Sequence, residues 1–243
     1  MSELPKVSGV LLVGYGDTYF RVAAAAFLAS TYEGELELVI LDNNETPIED
    51  MIPDDPRVHY FRCDRMHIGA LRNLGASYAT GEIILALDED DWSHPDRVTQ
   101  QVDRLMSTGK AVTGFHSLLY YDTRNSATYR YYYEPNRPHP PYACGSSQCY
   151  LKSWWEEHKF PESGVEDYPF QAEALSHNQL DSVDGAESLV ARAHVGSLCT
   201  PTQLGIHRQF PSVAKDALPA EFYAAVASKA TAKPSTKLKS TKK

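Results

Sequence analysis

Apolar and polar positions fall into blocks along the first 107 residues, and the blocks alternate in period. Val7–Val13 is a short apolar run closed by Gly14-Tyr15-Gly16, the pattern of a buried strand ending in a loop. The next stretch, 18–31, places Phe20, Ala24, Phe27 and Leu28 on one side of a helix. Glu35–Leu41 (ELELVIL) predicts a second strand, ending at Asp42-Asn43-Asn44. Val58–Phe61 (VHYF) predicts a third. Ile68–Ala79 has Leu71, Leu74 and Tyr78 spaced as a helix, and Glu82–Leu87 is a fourth strand. Pro95–Ser107 predicts a helix with proline in its first turn and Val98, Val102, Leu105 and Met106 turned inward. Strand and helix in alternation imply an α/β fold: a mostly parallel central sheet flanked by helices on both faces.

The second half is less regular. Ala111–Tyr121 and the tyrosine-rich Ala127–Tyr133 read as strands. Glu134–Ala143 (EPNRPHPPYA) is too rich in proline for a helix or a central strand and predicts a loop over the site. Trp154-Trp155 opens a short helix. Glu166–Leu175 opens another, with Pro169 in its first turn, and Pro219–Ala230 is a last, alanine-rich helix. There is no internal repeat and no linker between two cores. One Rossmann-like domain over 1–227 is expected, divided at 107/108 into a regular and an irregular half.

Composition narrows the class. The 243 residues are 42% apolar and 23% charged, as in ordinary globular proteins, and no run approaches the ~20 apolar residues of a membrane span. The N-terminal apolar run follows an acid and lacks a small-residue cleavage site, so it reads as a strand and not a signal peptide. The cysteines, Cys63, Cys144, Cys149 and Cys199, form no C-x-x-C pair; free thiols and a cytoplasmic setting are expected, without a cysteine zinc site. The last sixteen residues hold six lysines and no acid, and should be disordered. Without those six charges the net −9 becomes about −15, an acidic body ill-suited to general nucleic-acid binding.

One feature needs a specific explanation. The fourth strand runs into four consecutive acids, Asp88, Glu89, Asp90 and Asp91. Carboxylates so crowded repel each other unless solvated or bridged by a cation. In parallel α/β sheets ligands sit beyond the carboxyl ends of the strands, which is where this quartet falls, beside the loops Gly14–Asp17 and Asp42–Glu45.

The run IGALRNLGASYATGEIILALDEDDW, preceded by VILDNN and followed by GVEDYPF and ARAHVGS, resembles the family 2, GT-A type nucleotide-sugar glycosyltransferases over about residues 6–200. The most specific part is the helix with Gly69, Arg72, Asn73 and Gly75 leading into a strand and an Asp-x-Asp. The resemblance implies a nucleotide-binding half over 1–107, an acceptor-side half over 108–227, and inverting transfer from a nucleotide diphosphate sugar, a UDP-sugar first among them. It implies Mn2+ or Mg2+ held by Asp90 directly, by Asp88 through water, and by His194, with His207 or no histidine as alternatives. Asp88 could instead bind ribose. Tyr15 and Asp42 are expected at the base and Glu89 near the donor; Asp91 is a candidate cap of the helix after Trp92. Arg72 either meets phosphate or braces the acids. Asp167 is expected as general base, supported by Glu166. Trp154, Trp155 and Trp92 are candidates for a sugar-stacking wall or for the core.

Departures touch the base contact and the acceptor. The first loop is GYGDTY in place of a Pro-Thr-Tyr-Asn type, His67 stands where asparagine is common, and nothing after residue 200 has a counterpart. A nucleotidyltransferase shares the carboxylate chemistry but calls for a basic, glycine-rich first loop, and this loop holds Asp17 and no lysine. A non-catalytic binding protein would have little use for Asp88, Asp90 and Asp167 together. For the acceptor, a glycan, lipid, protein and hydroxymethylated DNA all stay open, the last because of the lysine tail.

Overall fold

The computed structural model of the chain describes residues 4–14, 19–133, 140–194, 197, 212–214 and 217–227. Tyr15, His207, Cys199, most of the expected Glu134–Ala143 loop and the lysine-rich tail lie outside them. In chain order the elements are β1 (Val7–Val13), α1 (Phe20–Leu28), β2 (Leu36–Asp42), β3 (Val58–Arg62), α2 (Ile68–Tyr78), β4 (Ile83–Asp88), β5 (Trp92–Ser93), α3 (Arg97–Thr108), β6 (Val112–Asp122), β7 (Ala127–Tyr132), β8 (Cys149–Leu151), α4 (Lys152–Glu157), α5 (Asp167–Ser176), β9 (Leu180–Asp184), β10 (Leu189–Ala193), β11 (Ser212–Val213) and α6 (Ala220–Ala227).

All the described strands join one sheet. Its main path runs β11-β7-β6-β8-β4-β1-β2-β3, with β9 and β10 on β6, and β5 on β10. The pairs β4–β1, β1–β2 and β2–β3 are parallel. Beyond β4 the sheet is mixed: β8 is antiparallel to both β4 and β6, β6–β7 is antiparallel, and β9 and β10 return parallel to β6. The first half thus has the expected parallel architecture, except that β2 reaches β3 through a 3-10 turn, Glu49–Met51, in place of a helix.

Alternation along the strands divides the core in two. Val7, Leu11, Leu38, Ile40, Ile83 and Leu85 pack under Phe20 and Phe27 of α1 and Val98, Val102 and Leu105 of α3. Val10, Val39, Leu41 and Ile84 face the other way, toward Leu71 of α2, Trp155 of α4 and Phe170 of α5. Complete burial of β1, β2 and most of β4 explains why those strands read as continuous apolar runs.

Two expectations for α3 need correction. The helix starts at Arg97, and Pro95 precedes it; the Pro95 carbonyl accepts from Thr31 N at 3.1 Å and Ser30 Oγ at 3.0 Å, tying the α1 exit to the α3 entry. Met106 is 63% exposed, because positions 98, 102 and 105 already fill the buried stripe and 106 turns away from it. In α2, Gly69 permits a close approach: a Cβ there would lie 1.9 Å from the Pro161 carbonyl oxygen and 3.0 Å from Glu166 Cβ. The loop before α5 therefore rests directly on α2, which brings Glu166 over Arg72.

Candidate active site

Register sets the carboxyl ends of three strands side by side. Leu12 pairs with Asp88 and Val13 with Asp42, so Gly14, Asn43 and the acidic run open onto the same side of the sheet. They line a cleft of about 340 Å3, shared with Arg65, Met66, Leu71, Tyr120, Ser146, Arg192 and Ser197. That volume falls at the small end of ligand pockets.

The four acids point four ways. Asp88, with a third of its side chain exposed, sends Oδ1 to Arg72 Nη2 at 3.4 Å. Glu89 turns inward, and its Oε1 accepts from Gly14 N at 3.0 Å, fastening the acidic loop to the end of β1. Asp90 Oδ2 lies 3.0 Å from His194 Nε2, a pair 104 residues apart in sequence. Asp91 is buried and accepts from Arg192 N at 3.3 Å. It does not cap α3, whose N-cap is Asp96; it reaches back to β10 instead.

Three buried arginines surround this run. Arg72 joins Glu166 Oε1 at 2.9 Å to Asp88 and leans over the Phe160 ring at 6.0 Å. The Arg72 guanidinium thus lies between two acids. Arg97, wholly buried, donates to Ser93 Oγ, Gln101 Oε1 and the carbonyls of Ala86 and Ser146, all between 2.8 and 3.0 Å, directly behind the acidic loop. Arg192 donates Nε to the Asp90 carbonyl, and its guanidinium lies 3.6 Å from the centre of the Tyr19 ring. Sequence reading assigned no role to Arg97 or Arg192; an arginine inside an apolar strand or at an inward helix position was the available signal.

The electrostatics show how crowded the acids remain. Burial pushes Asp91 well above the ordinary carboxylate range, and the charges of Asp90 and Asp88 push the same way. Burial also raises Asp88, opposed by Arg72 and reinforced by Asp90 and Glu166. Burial pulls Arg97 down to about 10 although Cys149, Asp91 and Asp88 favour its charged form. For Arg72 the neighbouring Asp88 and Glu166 overcome burial and hold it charged. Asp88 to Asp91 at the cleft, with Glu166 behind them, are met by the buried Arg72, Arg97 and Arg192, and Arg65 also lines the cleft, so carboxyls and guanidiniums are closely interleaved there.

The second acidic pair sits at the start of α5. Glu166 is the buried N-cap residue and Asp167 opens the helix. Asp167 Oδ1 accepts from Tyr168 N at 2.8 Å, and Gln148 Nε2 donates to the Asp167 carbonyl at 3.2 Å. The 3-10 turn Gly145–Ser147 links this pair to the cleft. Ser146 lines the cleft, while a Cβ on Gly145 would come within 2.7 Å of Asp167 Oδ2. Asp167 itself is outside the cleft lining. Tyr133 and Tyr142 stack at 4.0 Å beside the same turn.

Other expected contacts are placed elsewhere. Asp42 is fully buried and does not line the cleft. Its carboxylate accepts from Asn44 N and Nδ2, Ile48 N, Tyr60 OH and Arg62 Nη1, at 2.6 to 3.1 Å, and these bonds hold it down to about 2 against burial. It shapes the loop after β2, and its neighbour Asn43 takes the cleft position. Trp92 packs edge-on against Phe222 of α6, and Trp155 is buried with Nε1 bonded to Asn73 Oδ1 at 3.0 Å, so both belong to the core. Trp154 stacks on His158. Among the described residues none of the three tryptophans lines the cleft.

The donor set fits a divalent cation. Asp90 and His194 offer a carboxylate oxygen and an imidazole nitrogen at the rim of the cleft, a combination suited to Mn2+ and, with oxygen predominating, to Mg2+. Among the described residues no third carboxylate or imidazole closes on this pair within 4.8 Å, which leaves further positions to waters and to the oxygens of a ligand.

Comparison with known proteins agrees with this layout. A profile of glycosyl transferase family 2 matches residues 20–157, more than half of the chain. The Bacillus subtilis protein EpsH, a glycosyltransferase by name, is 29% identical over 105 residues, 41% of this chain and 30% of its own length. An uncharacterized glycosyltransferase of Haemophilus influenzae is 26% identical over 117 residues, 46% of each chain. The matched part is thus under half the length of these relatives. Among solved structures, residues 1–349 of S. aureus TarS in complex with UDP-GlcNAc superpose with a TM-score of 0.61 at 14% identity, covering 82% of this chain and 63% of that one. The likeness extends to the same region of TarS bound to UDP, at a TM-score of 0.60. At this identity it shows the shared GT-A fold.

Proposed function

Because the chain belongs to glycosyl transferase family 2, we propose that it moves a sugar from a nucleoside diphosphate sugar, UDP-linked, to an acceptor hydroxyl with inversion at the anomeric carbon. The observation that carries this reading is the Asp90–His194 contact at the edge of the cleft, in the middle of four consecutive acids. Carboxylates and a diphosphate in one cleft would repel each other, and a cation between them would relieve that repulsion. Asp90 and His194 would hold Mn2+ or Mg2+, with Asp88 reaching it through water. When bound, the ion would neutralise charge on the diphosphate leaving group. The bound nucleotides of TarS support a uridine donor.

The residues of this chain divide the work. Gly14, Asn43 and Arg65 line the part of the cleft next to β1 and β2, and would receive the nucleoside. Arg192, on the opposite wall and held by Tyr19 and the Asp90 carbonyl, would face the diphosphate. Arg72 would keep Asp88 and Glu166 in place. Asp167 would accept the proton of the acceptor hydroxyl as its oxygen bonds to the anomeric carbon. The bond from that carbon to the phosphate oxygen breaks, and its electron pair leaves with the nucleoside diphosphate. Attack from the side opposite the leaving group inverts the configuration.

The test is a thermal-shift screen of UDP-, GDP-, TDP- and CMP-sugars with and without Mn2+, followed by turnover. The largest shift is expected for the UDP-sugar with metal, and it should vanish in Asp90→Ala. Asp167→Asn should bind donor normally and fail to transfer. Metal-independent binding, or donor binding lost in Asp167→Asn, would overturn these assignments.

A further inference from the structure

Away from the cleft, the ends of α4 and α5 bring three metal-binding side chains together. His158 follows the last residue of α4 and His177 the last residue of α5; Glu173 is one turn before His177. One nitrogen of each imidazole and one carboxylate oxygen of Glu173 all lie within 4.8 Å of one another, and among the described residues this is the one such group of three.

The two rings are oriented in the same way. His158 Nδ1 lies 3.1 Å from the Trp154 carbonyl oxygen and His177 Nδ1 3.1 Å from that of Glu173, each four residues earlier. A carbonyl oxygen only accepts, so Nδ1 bears the proton of each neutral ring and the lone pair falls on Nε2. Metal-ligating histidines are held by this kind of outer hydrogen bond, which fixes tautomer and ring direction. Trp154 fixes the ring planes: it stacks on His158 at 3.6 Å and 12°, and meets His177 nearly edge-on at 5.8 Å. Glu173 Oε1 lies 3.6 Å from His177 Nδ1, the proton-bearing side of that ring, and its half-exposed carboxylate would swing toward Nε2 to share an ion with His158.

We propose that His158, Glu173 and His177 form a second, surface metal site for a divalent transition ion of the Zn2+ class. Two imidazoles and one carboxylate suit Zn2+ and the late first-row ions; Mg2+ and Ca2+ prefer all-oxygen sets. Glu173 and His177 are each about half exposed, so solvent supplies the remaining ligand. The ion would fasten the end of α4 to the end of α5. The eight residues between His158 and Asp167 include Glu166, so the clasp limits how far that segment can lift from α2.

The full chain, stripped with chelator, is titrated with ZnCl2 in a calorimeter. No nucleotide is present, so the outcome is independent of the donor assignment. To silence the cleft, the same titration is run on Asp90→Ala/His194→Ala. One Zn2+ equivalent should bind there, be lost in His158→Ala and in His177→Asn, and weaken about tenfold or more in Glu173→Gln. His177 is exposed at a helix end, so His177→Asn should keep the wild-type far-UV circular dichroism, and it serves as the control for folding. Added Co2+ should give the visible absorption of a tetrahedral site only where His158 and His177 are both present. Zn2+ binding that persists in folded His177→Asn, or that disappears with Asp90 and His194, would overturn the site.

Discussion

Replacing Arg72 by methionine tests how the acidic site is held together. Arg72 is 4% exposed and Glu166 equally buried, with Nε and Oε1 2.9 Å apart; Asp88 is 3.4 Å from Nη2. At an effective dielectric of about 20 each contact is worth roughly 5 kcal/mol of Coulomb attraction. Most of this offsets the several kcal/mol that each buried ion loses on leaving water. Removing one partner is therefore costly even where the intact pair contributes little. Arg72→Met leaves Glu166 buried without its counter-charge, and the expected loss is about 3–5 kcal/mol. For a chain of this size that lowers the midpoint by roughly 10 °C. Glu166→Gln in the same chain should restore much of it, since Asp88, a third exposed, keeps its water. Urea unfolding of wild type, both single variants and the double variant gives the coupling, expected at about 2 kcal/mol or more. A loss under about 1 kcal/mol for Arg72→Met with unchanged denaturant slope, or coupling near zero, would refute the bracing role.

Two further outcomes follow from particular contacts. Gly145→Ala puts a methyl within 2.7 Å of Asp167 Oδ2, so transfer should fall about tenfold or more while donor affinity holds; equal losses in both would mean the turn serves the donor and not the base. Glu37 is buried and accepts from Ser8 Oγ, Thr80 N, Thr80 Oγ1 and Lys6, and these bonds draw it down to about 2 against the effect of burial. A depressed carboxyl stabilises the fold in full above its ordinary value of 4.5 and loses that contribution as pH falls toward 2, here up to about 3 kcal/mol. Unfolding midpoints from pH 6 to pH 2 should therefore fall less steeply for Glu37→Gln than for wild type; parallel curves would exclude Glu37 as a source of acid sensitivity.

The regular half of the fold was legible because its strands are buried on both faces and its helices carry clean stripes. The short strands of the second half were not. β8 has three residues and gains its conformation by docking between β4 and β6, and β9 reads as polar because most of its residues are half exposed. The acids were found from their crowding at a strand end. Their counter-charges were not, since Arg97 is buried by α3 packing on Ala86, Ser93 and Ser146 and Arg192 by the pairing of β10 with β6, contacts that no local spacing encodes. Asp42 adjoins Asn43, which lines the cleft, but Tyr60 and Arg62 on the neighbouring strand claim its carboxylate, a matter of register.

The 104-residue separation of Asp90 and His194 bears on biosynthesis. On the ribosome, β1 to β4 are complete while β10 is still untranslated. A nascent chain at that stage presents Asp90 and Asp91 without Arg192 or His194 beside them, and Arg72 without Glu166. The first half can collapse early, but its acidic loop gains these partners only after β10 has left the exit tunnel, so translation itself delays the completion of the cleft.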